Sequence, residues 1–167
     1  MREHGYELEH IKISYPEIQA DLLEDTIVPG LQWLMERYKK PLMMDDSGLF
    51  IDALKGFPGV YSAYVFRTLG CDGILKLMQG MADRSARFEC CIGFMAPGGG
   101  PHISKGVAKG SISKEKAGSG GFGYDPVFVP EGYSKTYAQI EISEKNRMSH
   151  RGRAIEAFVK ELPRLLP

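Results

Sequence analysis

A stripe of apolar residues at helical spacing marks the segment between Glu17 and Tyr38. Pro29-Gly30 interrupts this stripe, and because proline removes a backbone donor and clashes with the preceding turn, the pattern predicts a kink or two shorter helices. The apolar positions recur every three or four residues, which places them on one face of an amphipathic helix: Leu23, Ile27, Leu31 and Leu34.

Short apolar runs in the middle of the chain predict strands. Two of them flank the polar stretch Asp45-Asp46-Ser47-Gly48, and a later pair surrounds a Pro/Gly loop and predicts a hairpin. A further short strand follows a glycine-dense segment. The predicted strands cover residues 42–44, 50–54, 88–95, 103–113 and 127–130.

Two more helices follow from apolar spacing in the second half of the chain. The first covers residues 72–79, and Gly80 suits the position just after its end. The second is the last element, and Ser149 is placed to cap it. Its buried face is formed by Ile155, Phe158, Val159 and Leu162. Because strands and helices interleave without a linker or an internal repeat, the sequence predicts a single α/β domain over residues 1–167.

Composition narrows the classes of protein that the chain can belong to. The 21 basic residues balance 21 acidic ones, so we expect no nucleic-acid partner. The apolar runs fall short of the roughly 18 residues that span a bilayer, and the start of the chain is too polar for a signal peptide, so we expect no membrane partner. Cys71, Cys90 and Cys91 lack metal-binding spacing and predict free thiols, which favours the cytoplasm.

Acidic residues at two places could take part in phosphate chemistry. Asp45-Asp46-Ser47-Gly48 follows a short apolar strand, and a pair of acids there is sufficient for Mg²⁺, which binds one or two carboxylates together with water and phosphate oxygens. The same four residues are also typical of a turn. Glu17 could be a second ligand, or it could simply offset the dipole of the first helix.

A glycine-rich loop at residues 120–126 carries two aromatic side chains and one acid. Phe122 or Tyr124 could stack on a flat purine, and the glycines would let the backbone approach a ligand. The alternative is a tight loop whose aromatic side chains complete the core.

Hydrogen-bond donors gather at the start of the last helix, in Lys145-Asn146-Arg147-Met148-Ser149-His150-Arg151. Donors at this place would suit a purine with an oxygen at C6 and oppose adenine, which carries an amino group there. The same residues could equally form a solvated basic helix start.

Five motifs in the same order closely resemble the inosine/xanthosine triphosphate pyrophosphatase family, particularly its archaeal-like members. The resemblance extends from about Ile11 to Phe158. The motifs are Ser14-Tyr15-Pro16-Glu17-Ile18-Gln19, Asp45-Asp46-Ser47-Gly48-Leu49, Gly56-Phe57-Pro58-Gly59-Val60-Tyr61-Ser62, Gly121-Phe122-Gly123-Tyr124-Asp125-Pro126, and Glu144-Lys145-Asn146 followed by Ser149-His150-Arg151.

This resemblance implies both a fold and a reaction. The fold would be a long twisted mixed sheet flanked by helices in two lobes, with the active site in the cleft between them, and usually a homodimer. The reaction would be Mg²⁺-dependent hydrolysis of ITP, dITP and XTP, in which activated water attacks the α-phosphorus and pyrophosphate leaves. Such an enzyme removes non-canonical purine nucleotides from the cellular pool.

The resemblance also assigns roles to individual residues. Asp46 would accept a proton and bind metal, Glu17 would be the second Mg²⁺ ligand, and Ser47 would contact the substrate. Phe122 would stack on the base as part of the loop that holds it, and the 6-oxo purine would be recognised from the last helix. The remaining residues of these two groups are Gly123, Tyr124, Asp125, Lys145, His150 and Arg151.

One part of the family pattern has no match in this chain. Family members begin with a hydrophobic strand and a Thr/Ser-x-Asn-x-x-Lys loop that holds the triphosphate, whereas nothing before Ile11 resembles that motif. We therefore expect an N-terminally shortened member with weak phosphate binding. The alternative function is a truncated purine-nucleotide-binding protein with little or no activity.

Overall fold

A five-stranded sheet forms the centre of the computed structural model, which describes residues 5–16 and 18–166. The strands lie in the spatial order β2-β1-β3-β4-β5, and each pairing between them is antiparallel, whereas the resemblance implied a mixed sheet. The α/β class is confirmed. The strands are β1 Leu42–Ile51, β2 Pro58–Gly59, β3 Ser85–Met95, β4 His102–Ile112 and β5 Phe128–Pro130.

Helices pack on the sheet and beside its ends. They are α1 Leu23–Tyr38, α2 Ser62–Thr68, α3 Gly70–Leu77, α4 Ile142–Met148 and α5 His150–Leu165. Short 3₁₀ turns cover Asp52–Leu54, Asp125–Val127 and Tyr137–Gln139. The predicted hairpin is confirmed as β3 and β4, and Ser149 caps α5 by accepting a hydrogen bond from the Gly152 N–H at 3.1 Å.

The first helix differs from its prediction. Pro29 lies inside α1, which continues as one helix, so of the two predicted alternatives the division into two shorter helices is wrong. The predicted apolar stripe is nevertheless buried, with Leu23, Ile27 and Leu31 at most 1% exposed. Packing of this stripe on the sheet stabilises the helix enough to outweigh the single backbone hydrogen bond that proline removes.

The polar stretch after residue 44 also differs from its prediction. The two expected strands are one, because β1 runs unbroken through Asp45-Asp46-Ser47-Gly48 and pairs with β3 from Leu42 opposite Met95 to Ile51 opposite Ala86. A ladder of this length satisfies backbone groups that a turn would leave exposed. Tertiary pairing therefore overrides the local turn preference of Asp, Ser and Gly.

The two faces of the sheet carry different helices. Cys91 on β3 points towards α1 and packs with Ile27 and Leu31, while the neighbouring Cys90 points the other way and packs with Phe158 of α5. Both thiols are buried and free, as is Cys71, which agrees with the prediction. Gly106 on β4 lets α5 begin directly against the sheet, since a methyl group there would overlap the carbonyl oxygen of His150.

The hydrophobic core divides along the length of β1 and β3. One end of these strands packs with α1 and α5, and the other end packs with α2, α3 and the segment around β5. At this second end Phe88, Phe128 and Tyr137 form an aromatic cluster with ring centroids between 4.7 and 6.1 Å apart. The long central strands therefore connect two packed regions, as expected for a two-lobed fold. In the part of the chain described here, no helix is long and apolar enough to cross a membrane.

Candidate functional site

A buried ion pair anchors the glycine-rich loop to the end of α4. The Lys145 ammonium donates a hydrogen bond to Oδ2 of Asp125, and the two side chains are only 10% and 3% exposed. The same oxygen accepts a bond from the Phe122 N–H at 2.7 Å. Gly121 has φ of +73°, and a side chain there would overlap the Asp125 carboxylate. The loop is therefore wrapped tightly around one charged group.

The two aromatic residues of this loop have opposite environments. Tyr124 is 3% exposed, donates its hydroxyl to the Ser62 carbonyl at 3.0 Å and meets Phe66 edge to face, so it is part of the core. Burial raises the pKa of its phenol. Phe122 is 63% exposed. Of the two side chains, Phe122 alone presents a free surface on which a planar ligand could stack.

Two cations surround the Phe122 ring. Nζ of Lys145 lies 4.9 Å from the ring centroid, and the guanidinium carbon of Arg151 lies 5.6 Å from it. Both distances are within the range of cation–π attraction. The structure thus brings three residues from separate segments to one place, where an exposed ring is bordered by hydrogen-bond donors.

His150 lies directly behind this group at the start of α5. It is 5% exposed and stacks on Phe88 with a centroid distance of 4.6 Å and an interplanar angle of 13°. Burial, reinforced by the positive charges of Arg151 and Lys145, lowers the pKa of His150 to about 3. The imidazole is therefore neutral at pH 7 and keeps one donor and one acceptor nitrogen. Within the described residues its Nδ1 has no hydrogen-bond partner.

Arg151 is held by Asp45, an acid to which the sequence analysis assigns no role of its own. Its Nε and Nη2 donate hydrogen bonds to Oδ2 of Asp45 at 3.1 and 3.0 Å, and both side chains are about two-fifths exposed. This contact joins β1 to α5 across 106 residues of sequence. Strand alternation would have placed Asp45 and Asp46 on opposite faces, although it would not have identified Arg151 as the partner, and the expected turn at this position concealed that alternation.

Asp46 faces the opposite side of the sheet. It lies across from Cys91, on the side of α1, and is half-buried. Oδ1 accepts the Ser47 N–H at 2.8 Å, and Oδ2 lies 3.1 Å from the Thr26 hydroxyl, which also contacts the Leu23 carbonyl at 2.7 Å. The carboxylate is therefore held by groups on both β1 and α1. Thr26 carries no chemical motif that could have identified it from the sequence.

Ser47 and Gly123 occupy positions next to these groups. Ser47 lies across from Cys90, so its side chain shares the face of α5 with Asp45 and not the face of Asp46. Burial raises the pKa of the Cys90 thiol, and the buried Ser47 hydroxyl oxygen has no hydrogen-bond partner among the described residues. Gly123 has φ of +61°, and its carbonyl accepts a bond from the Cys71 thiol at 3.5 Å.

A metal ion would have few ligands among the described residues. No group of three or more His, Cys, Asp or Glu side chains comes together in residues 5–16 and 18–166. Glu17, the expected second ligand, lies outside them. Asp46 supplies one half-buried carboxylate, which suits Mg²⁺ because this ion uses one or two carboxylates and fills its other positions with water and phosphate oxygens.

A surface cavity of about 510 Å³ lies away from all of these residues, near the junction of β3, β4 and β5. It is lined by both basic and acidic side chains, including Arg87, Lys109, Asp52 and Glu131. None of the site residues expected from the sequence lines it. The candidate site is therefore the open surface around Phe122 and not this cavity.

The fold and the site together define an α/β protein with an exposed aromatic loop bordered by cations. The sequence profile of the Ham1 family matches residues 2–161, so the chain belongs to the Ham1 family. The family resemblance inferred from the five motifs is confirmed.

Two archaeal relatives are similar to this chain over nearly its whole length. The chain is 54% identical over 158 residues to a dITP/XTP pyrophosphatase of Pyrococcus horikoshii, covering 95% of this chain and 84% of that protein. A dITP/XTP pyrophosphatase of Thermococcus kodakarensis is 52% identical, with 95% and 85% covered.

Solved structures of Ham1 proteins have the same fold. The Staphylococcus aureus Ham1 protein superposes with a TM-score of 0.85 at 31% identity, over 90% of this chain and 81% of that one. A nucleoside-triphosphatase described as dITP/XTP pyrophosphatase from Mycobacterium abscessus gives a TM-score of 0.75, also at 31% identity, over 93% and 81%. These similarities confirm the expected fold class.

Proposed function

We propose that this chain hydrolyses non-canonical purine nucleoside triphosphates, namely ITP, dITP and XTP, to the monophosphate and pyrophosphate. One observation carries the proposal: Phe122 and Arg151 lie together on an exposed surface, and the buried Asp125–Lys145 pair and the buried His150 lie beneath it. The names of relatives that are 42–54% identical support the same reaction.

Recognition of the base follows from these side chains. The purine stacks on Phe122, and such contacts contribute about 1–3 kcal/mol per base in other proteins. Lys145, Arg151 and one nitrogen of neutral His150 offer donors to the oxygen at C6. Adenine presents an amino group there, so it would leave donors unpaired at a cost of roughly 1–3 kcal/mol each.

The reaction itself is assigned to Asp46. Its carboxylate accepts a proton from the attacking water, and the Ser47 N–H and the Thr26 hydroxyl hold it in place for this role. Asp46 and Glu17 would also hold Mg²⁺, which neutralises charge on the phosphate oxygens. Ser47 would contact the substrate from the other face of β1, which it shares with Asp45. Gly123 and Tyr124 shape the loop that carries Phe122.

We further propose that the protein acts as a homodimer in the cytoplasm. Three free, buried thiols suit a reducing compartment. Exposed apolar side chains at and around α2 offer a surface for a second copy, since Tyr61, Tyr64 and Leu69 are 44%, 60% and 48% exposed. Sedimentation equilibrium of the purified chain measures this association directly.

Pyrophosphate release tests the main proposal. The assay compares ITP, dITP, XTP and ATP with Mg²⁺, with Mn²⁺ and with chelator, using the wild-type chain and Asp46→Asn. We expect turnover of the first three substrates, little turnover of ATP and loss of at least about two orders of magnitude in the variant. Equal turnover of ATP, or full activity of Asp46→Asn, contradicts the mechanism. Calorimetric binding of inosine monophosphate without hydrolysis of any triphosphate would favour the alternative, a nucleotide-binding protein.

A further inference from the structure

We propose that Asp45 is a positioning residue for base recognition, which holds the Arg151 guanidinium beside the Phe122 ring. This inference rests on the function proposed above and adds a specificity-determining residue to it. Asp45 and Asp46 are neighbours in sequence, yet they would serve opposite ends of the substrate.

The first step is the direction of the two carboxylates. Side chains alternate between the faces of a strand, and the pairing of β1 with β3 places Asp45 across from Ile92 and Asp46 across from Cys91. Cys91 packs on the α1 side, whereas Ile92 packs with α5. Asp45 is therefore directed to the helix whose first turn contains His150 and Arg151.

The second step is the geometry of the contact. Two guanidinium nitrogens of Arg151 donate to the same oxygen of Asp45, at 3.1 and 3.0 Å. A paired contact restricts rotation of a guanidinium more than a single hydrogen bond does. Arg151 has four flexible side-chain bonds and would otherwise sample many positions beside the exposed ring. Asp45 limits this sampling before any nucleotide binds.

The third step is charge. Lys145 is neutralised by Asp125, and Arg151 is neutralised by Asp45, so two ion pairs flank the Phe122 ring. Without Asp45 the surface would carry one unpaired cation. That cation would attract the triphosphate of any nucleotide without regard to its base, so Asp45 favours discrimination by the base over general attraction of phosphate.

The experiment measures binding and turnover in three variants. Asp45→Asn removes the charge with little change in size, Arg151→Ala removes the partner, and the double variant closes a mutant cycle. Calorimetry gives the Kd of inosine monophosphate, and pyrophosphate release gives kcat and KM for ITP and ATP. Asp52→Asn is the matched control, because Asp52 follows β1 directly and its exposed contact to Arg87 lies outside the site.

We expect Asp45→Asn to raise the Kd of inosine monophosphate and the KM of ITP about fivefold, because the lost positioning of Arg151 outweighs the added attraction for phosphate, while kcat stays within about twofold. The preference for ITP over ATP falls by a similar factor. The double variant binds no more weakly than Arg151→Ala, because the two residues act as one unit. Asp52→Asn matches the wild type.

Two results would overturn the inference while leaving the proposed function intact. The first is a wild-type Kd and an unchanged ITP preference in Asp45→Asn. The second is additive losses in the double variant, which would show that Asp45 acts independently of Arg151. If the wild-type chain neither binds inosine monophosphate nor cleaves ITP, the proposed function fails and this inference fails with it. Thermal unfolding of each variant, expected within a few degrees of the wild type, excludes misfolding as the cause.

Discussion

The Asp125–Lys145 pair offers a direct test of how the candidate site is held together. Both side chains are almost fully enclosed, at 3% and 10% exposure, so neither charge can be hydrated if its partner is removed. Breaking a buried pair in this way costs about 3–5 kcal/mol in other proteins. Asp125→Asn keeps an oxygen for the Phe122 N–H and therefore isolates the effect of charge.

We expect Asp125→Asn and Lys145→Met each to lower the free energy of unfolding by about 3 kcal/mol. For a domain of this size such a loss lowers the melting temperature by roughly 6–12 °C. The double variant contains no unpaired charge, so we expect it to lose about 2 kcal/mol or less and not the sum of the two.

Urea unfolding at pH 7 measures these free energies, and Lys160→Met serves as the control. Lys160 pairs with Glu156 on the exposed face of α5, so its removal should leave the midpoint unchanged. If the double variant loses the full sum of about 6 kcal/mol, the two charges do not depend on each other. The loop would then owe its position to backbone packing and not to the ion pair.

Two further outcomes follow from the same group of residues. Phe122→Ala should raise the KM of ITP roughly tenfold through loss of stacking, whereas Phe122→Tyr should stay close to the wild type. Equal KM values in steady-state assays of the three proteins would rule out Phe122 as the side chain on which the purine stacks. His150 should make the fold acid-sensitive, because its folded pKa of about 3 lies below the ordinary 6.5. Its contribution to the free energy of unfolding is complete above pH 6.5 and is lost as pH falls towards 3. The loss is at most about 1.4 kcal/mol per pH unit. Between these pH values, His150→Gln should lower the number of protons taken up on unfolding by up to one, which reduces the slope of unfolding free energy against pH. Equal slopes for the wild type and the variant would contradict a buried neutral ring.

Periodicity predicted those parts of the fold in which one face is buried. The apolar stripe of α1, the β3–β4 hairpin and the Ser149 cap all follow from local spacing and local hydrogen-bond chemistry. The prediction was wrong at Asp45-Asp46-Ser47-Gly48, where pairing over the full length of β1 outweighed turn preference. The local pattern of apolar residues does not show whether a neighbouring strand is present. The unbroken strand β1 could therefore not be predicted from spacing alone.

The site residues were identified from motifs, but their contacts were not. The sequence grouped Asp45 with Asp46 as one pair of acids, whereas Asp45 contacts Arg151 and Asp46 contacts Thr26. Residue types alone do not distinguish Phe122 from Tyr124 as the stacking residue. The family resemblance favours Phe122, which is the exposed one of the two. Such distinctions depend on which face a residue occupies, and that is fixed only when distant segments pack together.

The alternation of Asp45 and Asp46 along β1 has a consequence for how this sequence can vary. If Leu42 stays paired with Met95, inserting one residue between the start of β1 and Asp45 would shift the register of the following residues by one and exchange the faces of both carboxylates. All residue types would be retained, yet Arg151 would lose its acid and Thr26 would face the wrong one. The number of residues in this strand is thus as strictly constrained as their identity, and changes of length should be tolerated only in the loops beyond its ends.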